Sequence, residues 1–162
     1  MKGTAGKVLA LVVVAALGVA SAQATDALFV TAAAQSDLYE ISSSELALER
    51  ATSEAVRTFA QDMIADHTAT TEQLTPTAEE LGVTPPTETT AAAQLDLAYL
   101  ETLEGEAFDA AYLEQQRVSH EAAVAAFEIA SETAQNAALK EFATENLPII
   151  EEHLTMVQEM AQ

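Results

Sequence analysis

Apolar side chains recur at spacings of three and four along four long stretches of this chain, and three of those stripes pass through a histidine: His67, His120 and His153. The chain has no other histidine. A 3.6-residue period sustained over such lengths specifies amphipathic helices, each of which must bury one face against the others. Abundant Ala, Leu, Glu and Gln, with few aromatics and no alternating β-branched runs, give an all-α fold class.

The pattern sets the helix limits. A first helix is expected from Asp26, acting as its cap, to about Arg50, with Phe29, Ala33, Glu40, Ser44 and Ala47 on one stripe. The Ser42-Ser43-Ser44 run weakens it locally. Thr52 or Ser53 caps a second, carrying Val56, Ala60, Met63, His67, Leu74, Ala78 and Leu81, kinked at Pro76 and ended by Gly82. The Val83 to Thr90 segment, with Pro85-Pro86, is a loop expected to cross one end of the bundle. A short helix from about Ala91 to Glu104 shows Leu95, Tyr99 and Leu103, and Gly105 breaks it. The next helix runs from about Glu106 to Glu132 with Phe108, Tyr112, Leu113, His120, Val124 and Phe127 inward. The last is capped near Asn136 and is expected to bury Leu139, Phe142, Asn146, Ile149, Ile150, His153, Met156, Val157 and Met160; Pro148 bends it, and Asn146 is expected to partner the backbone that the proline opens. No internal repeat is evident. Four long helices and one short one, with tight turns inside each pair and one longer connection, fit an antiparallel four-helix bundle of ferritin-like plan.

Before the bundle, Lys2 and Lys7 precede an apolar run, Val8 to Ala20, too short to span a bilayer comfortably. Residues 1–24 read as a signal peptide, with cleavage near Ala22 or Ala24, and residues 25–162 as the bundle domain. The expected location is periplasmic or extracellular. Loss of the two lysines moves the formal net charge from -20 to -22, leaving Arg50, Arg57, Arg117 and Lys140 as the only cations. Such a surface repels nucleic acid and anionic lipid, and suits cations, a basic protein partner or a salty medium. The absence of cysteine excludes thiol catalysis, iron–sulfur clusters and cysteine zinc sites.

Four segments, Phe29-Val30-Thr31-Ala32-Ala33, Phe59 through His67, Phe108-Asp109-Ala110-Ala111-Tyr112 and Leu147 through Leu154, resemble successive motifs of an exported bacterial family, the domain of unknown function 4142 family. They occur in family order across roughly residues 26 to 160. The resemblance implies a ferritin-like bundle, and it places Glu40, Asp66, His67, Asp109, His120 and His153 at the family's characteristic polar positions. The family has no established activity.

Ferritin-like metal centres use a Glu-x-x-His spacing, which aims two ligands from one helix at one ion. Here the residues three before the histidines are Ile64, Arg117 and Ile150, so a di-iron centre is not expected. Glu40, His67, His120 and His153 instead suit one zinc, copper, iron or manganese ion, with Asp37, Asp66 and Asp109 as secondary candidates. Counted from the turn near Ala51, Glu40 lies 11 residues back and His67 16 forward, a height mismatch of about 7 Å, and Asp37 matches His67 better. His120 and His153 differ by about 4 Å from the turn near Gln135, which makes them the closest pair. Met63, Met156 and Met160 lie at helical spacing from two histidines; they read first as core filler and second as Cu(I) thioether ligands.

The histidines could equally form a buried hydrogen-bonded network that fixes helix register. Two function classes follow: an exported metal-binding bundle in an envelope or stress-related role, or a non-catalytic structural or interaction module. Turnover is not supported, since no phosphate loop or nucleophile elbow occurs. A metal-dependent oxidoreductase would require an open coordination position.

Overall fold

The computed structural model describes the chain from residue 5, with side chains from residue 23. The expected signal segment as far as Ala22, with the first of its two cleavage sites, lies outside the fully described residues. Five helices follow one another: α1 (Ala5–Arg50), α2 (Glu54–Glu80), α3 (Ala91–Leu100), α4 (Gly105–Thr133) and α5 (Ala137–Met160). α1 packs on α2 and α4, and α5 packs on the same two, so the order around the bundle is α1, α2, α5, α4. Among the described residues, no helix is long and apolar enough to cross a membrane.

Local chemistry explains most boundaries. Ser53 caps α2 by accepting from the Val56 amide, and Asn136 caps α5 by accepting from the Leu139 amide. α2 ends at Gly82, where φ is +68° and paired hydrogen bonds, Gly82 N–H to Glu79 O and Val83 N–H to Ala78 O, close the last turn. Both α2 and α5 continue through their prolines, Pro76 and Pro148. Asn146 donates to Phe142 O and to Gln73 Oε1 on α2, rather than to Thr144, whose carbonyl is the one deprived of a donor by Pro148. Its role is to join two helices.

Further expectations change, among them the burial of Ile149, which is 41% exposed on α5. The link from α2 to α4 runs lengthwise along the bundle, because Ala78 belongs to the apolar cluster at one end and Leu100 to that at the other. Midway, the Thr89 hydroxyl donates to Gln35 O of α1. On α3 the buried residue is Leu100, whereas Leu95 and Tyr99 are exposed; ten residues lying against α1 and α4 cover only a narrow strip. Finally, Asp26 sits inside α1 and does not cap it. Its carboxylate crosses to the α4–α5 turn and accepts from the amides of Gln135 (3.0 Å) and Asn136 (2.8 Å).

That contact has a counterpart. Asp109, on α4, accepts from the amides of Thr52 (3.1 Å) and Ser53 (2.9 Å) at the α1–α2 turn, and from the Thr52 hydroxyl (2.7 Å). Asp26 and Asp109 stand 83 positions apart, and so do Ser53 and Asn136, the last residues of α1 and α4, and the buried pairs Val56/Leu139, Phe59/Phe142, Ala60/Ala143 and Leu74/Val157. Aromatic packing repeats as well: Phe29 meets Phe142 edge-on at 6.5 Å, and Tyr112 meets Phe59 edge-on at 6.3 Å. The chain is therefore a repeated helical hairpin whose halves clamp each other's turns. The repeat is carried by burial class and cap chemistry more than by identity, which is why it is not apparent from the sequence alone.

Each aspartate neutralises amides that have no intrahelical partner, and a buried carboxylate makes these bonds charge-assisted. Replacing Asp26 or Asp109 by alanine should each lower unfolding free energy by about 2–3 kcal/mol. Because the Asp26–Arg50 part of α1 separates the two sites, about 36 Å at 1.5 Å per residue, the losses should add to within about 0.5 kcal/mol in urea titrations. A loss below that range in both variants would remove the clamp from the account.

Candidate metal centre

Apart from Asp26, Thr77, Asp109 and Asn146, the buried polar residues of the core occupy one layer. Along α1, Val30, Ala33 and Ala34 give way to Asp37, Glu40, Ser43 and Ser44 before Ala47; along α4, Tyr112 and Leu113 give way to Gln116 and His120 before Phe127. His67 interrupts α2 between Met63 and Leu74, and His153 interrupts α5 between Ile150 and Val157. The layer divides the apolar interior into two clusters, one around Phe127 and Phe142, the other around Phe59 and Phe108.

Within this layer the three imidazoles converge. Ring centroids are 5.5 Å apart for His120 and His153, 5.9 Å for His67 and His153, and 6.0 Å for His67 and His120. One nitrogen from each lies within 4.8 Å of the others, and all three side chains are buried. His120 and His153 are the closest pair, as helix heights predict, and His67 joins them while also meeting Asp37.

It does so because each ring uses one nitrogen outward. His67 Nδ1 bonds Asp37 Oδ1 at 2.8 Å, His120 Nδ1 donates to Gln116 O at 2.8 Å, and His153 Nε2 bonds Asp66 Oδ2 at 3.0 Å. Carbonyls and carboxylates only accept, so these bonds fix the N–H on the outward nitrogen. The inward atoms, His67 Nε2, His120 Nε2 and His153 Nδ1, are buried without partners. Glu40 Oε2 is likewise buried and unpartnered, while Glu40 Oε1 accepts from the Ser119 hydroxyl. In these tautomers the layer holds three imidazole lone pairs, a carboxylate oxygen and the Gln116 amide oxygen with no donor to satisfy them.

The secondary candidates separate. Asp37 and Asp66 orient His67 and His153 from outside, and Thr71 donates to Asp37 Oδ2. Asp109 belongs to the α1–α2 turn and does not join the group. Met63 is buried in the apolar cluster around Phe59, with Met156 and Met160 packed against it, the surroundings of core filler. The sequence reading missed Ser119 and Gln116. Ser36, 83 positions before Ser119, is the one signal that could have marked the first; for the second, only the i, i+4 spacing to His120 hints at its carbonyl's role.

The electrostatics follow from burial and these partners. Burial lowers the pKa of His120 and of His153 below the ordinary imidazole value, and charge on His67 adds to the effect. For His67 burial also pulls downward, but the hydrogen bond to Asp37 and the charges of Glu40, Asp37 and Asp66 together raise it. Burial holds Asp37 above the usual carboxylate range, opposed by His67. Without a metal, the proton on His67 is thus the cation that Glu40 and the aspartates attract.

By linkage, the raised His67 contributes stability that is fully present below pH 6.5 and lost as pH rises through its folded value. The depressed His120 and His153 contribute stability present above pH 6.5 and lost as pH falls toward their folded values. In nitrogen-detected NMR titrations of metal-free protein, His67 should keep its second proton above pH 6.5, while His120 and His153 stay neutral below it. Three rings titrating together at pH 6.5 would contradict this electrostatic picture.

The fold is shared with solved structures of low sequence identity. A DUF305 fragment from Deinococcus radiodurans superposes with a TM-score of 0.75 at 16% identity, covering 85% of this chain and 95% of that one. A DUF305 protein from Streptomyces coelicolor superposes with a TM-score of 0.72 at 16% identity, covering 84% and 91%. No curated protein matches. The motif order noted in the sequence is matched by a family model over residues 14–160, and on that match the chain belongs to the family described as Domain of unknown function (DUF4142).

Proposed function

We propose that this protein is an exported bundle of ferritin-like plan that binds one transition-metal ion through His67 Nε2, His120 Nε2 and His153 Nδ1, with Glu40 as the fourth donor. The observation that carries the reading is the set of four buried acceptors left without a donor while each imidazole's other nitrogen is fixed by a hydrogen bond. Leaving a buried polar atom unsatisfied costs about 1–3 kcal/mol, so a purely structural network of this form would carry several such costs at one point. A single water has two hydrogens for four acceptors. A divalent ion would satisfy the three nitrogens, which lie within 4.8 Å of one another, and Glu40, whose charge acts on all three rings, would complete the set.

The donor chemistry suits zinc, copper, iron or manganese. Metal–nitrogen bonds of about 2 Å place two ligands at most about 4 Å apart, so nitrogens within 4.8 Å require only a small inward shift. Acceptors on the far nitrogens raise imidazole basicity and fix ring orientation, as outer partners of metal-bound histidines do. An envelope location accords with the expected signal peptide and with the Streptomyces coelicolor neighbour, which is provisionally described as a secreted protein.

Metal-stripped protein dialysed against Zn(II) should retain one equivalent by elemental analysis, and His153→Ala should lose it. Asp66→Asn should weaken binding by about 10–100-fold while preserving the fold. Retention of zinc at undiminished affinity in His153→Ala would assign it to the acidic surface and return the histidines to a packing role.

A further inference from the structure

The repeated hairpin shows where the centre is incomplete. Glu40 and Ala123 stand 83 positions apart, the spacing that relates the two aspartate clamps and the two caps, so Ala123 occupies in α4 the place that Glu40 occupies in α1. The serines follow suit: Ser119, which donates to Glu40, is the counterpart of Ser36. Where a second carboxylate would lie under this symmetry, the structure has a cavity of about 20 Å³ lined by Ala123, Ser36, His67, His153, Asp37 and Asp66. One water needs about 10–15 Å³, so the space takes a single small molecule. Two of its walls reach the surface, since the Asp66 side chain is 48% exposed and Ile149 is 41% exposed.

We infer that the ion held by the three histidines and Glu40 keeps one exchangeable coordination position facing this cavity, filled by water at rest and open to a small uncharged ligand. The inference rests on the metal reading and extends it from a closed site to a reactive one, because a protein site with every position filled by side chains has no place for an exogenous ligand. Two unpartnered, buried imidazole nitrogens belong to residues that line the cavity, so a molecule there is next to the ion's ligands. Asp37 and Asp66 on the walls disfavour anions by repulsion and select for neutral molecules. Ala123 is thus a specificity-determining position, small where its counterpart is a ligand.

The test uses Fe(II)-loaded protein and nitric oxide under anaerobic conditions. The expected result is a stoichiometric high-spin iron-nitrosyl EPR signal, little changed by excess azide. Ala123→Glu, whose new carboxylate Ser36 can hold as Ser119 holds Glu40, and Ala123→Leu, which fills the space without adding a donor, should each retain one iron and lose the nitrosyl signal. Iron bound without a nitrosyl in the wild type would show a closed centre, overturning this inference and leaving the metal reading intact. A signal of equal strength in both iron-retaining variants would also overturn it, since the ligand would then arrive elsewhere. If the wild type retains no Fe(II) the inference fails, and the metal reading fails with it only if Zn(II) is not retained either.

Discussion

The reciprocal clamp of Asp26 and Asp109 governs the rest of the architecture. Each turn between paired helices leaves amides with no intrahelical acceptor, and each is satisfied by a carboxylate from the opposite hairpin. Because helix rise is fixed, anchoring α1 at Asp26 and α4 at Asp109, and each again at the turn that follows it, sets the height of every side chain between those points. A slip of one turn would move His120 by about 5.4 Å and dissolve the convergence with His67 and His153. The clamps therefore connect capping chemistry at the ends to ligand geometry at the centre.

The central layer is costly for a bundle to hold empty. Asp37, Glu40, His67, His120 and His153 are all buried, and burial pushes the pKa of Asp37 up and those of His120 and His153 down, each toward its neutral form. His67 alone moves against burial, drawn by Asp37, Glu40 and Asp66. The layer thus favours one positive charge, the second proton of His67. Its asymmetry follows from the repeat: position 37 is aspartate where position 120 is histidine, and position 40 is glutamate where position 123 is alanine. One duplicated scaffold hence presents a single asymmetric group of polar side chains rather than two equal ones.

Much of this was legible from residue order. The helices, the end of α2 at Gly82, the caps at Ser53 and Asn136, and the burial of Glu40 and all three histidines follow from periodicity and local chemistry. Height counting also paired Asp37 with His67 and singled out His120 with His153. It could not show that His67 serves two partners at once, because counting residues fixes height and not the direction of each ring nitrogen. Nor could it place Asp26, whose cap-like position in sequence conceals a partner more than a hundred residues away.

The sequence by itself determined an all-α chain with a polar group on the apolar face of each of four helices, because a 3.6-residue period and cap residues are local properties. Only the tertiary structure decided that the lengthwise link carries α4 beside α1, that two aspartates lock opposite hairpins, and that three rings converge while one oxygen of Glu40 stays buried without a partner. Those facts depend on how rigid helices are juxtaposed and on which ring nitrogen faces its neighbour, neither of which a one-dimensional pattern encodes. The same holds for the small cavity at Ala123, which exists because a short side chain stands opposite the place its counterpart fills.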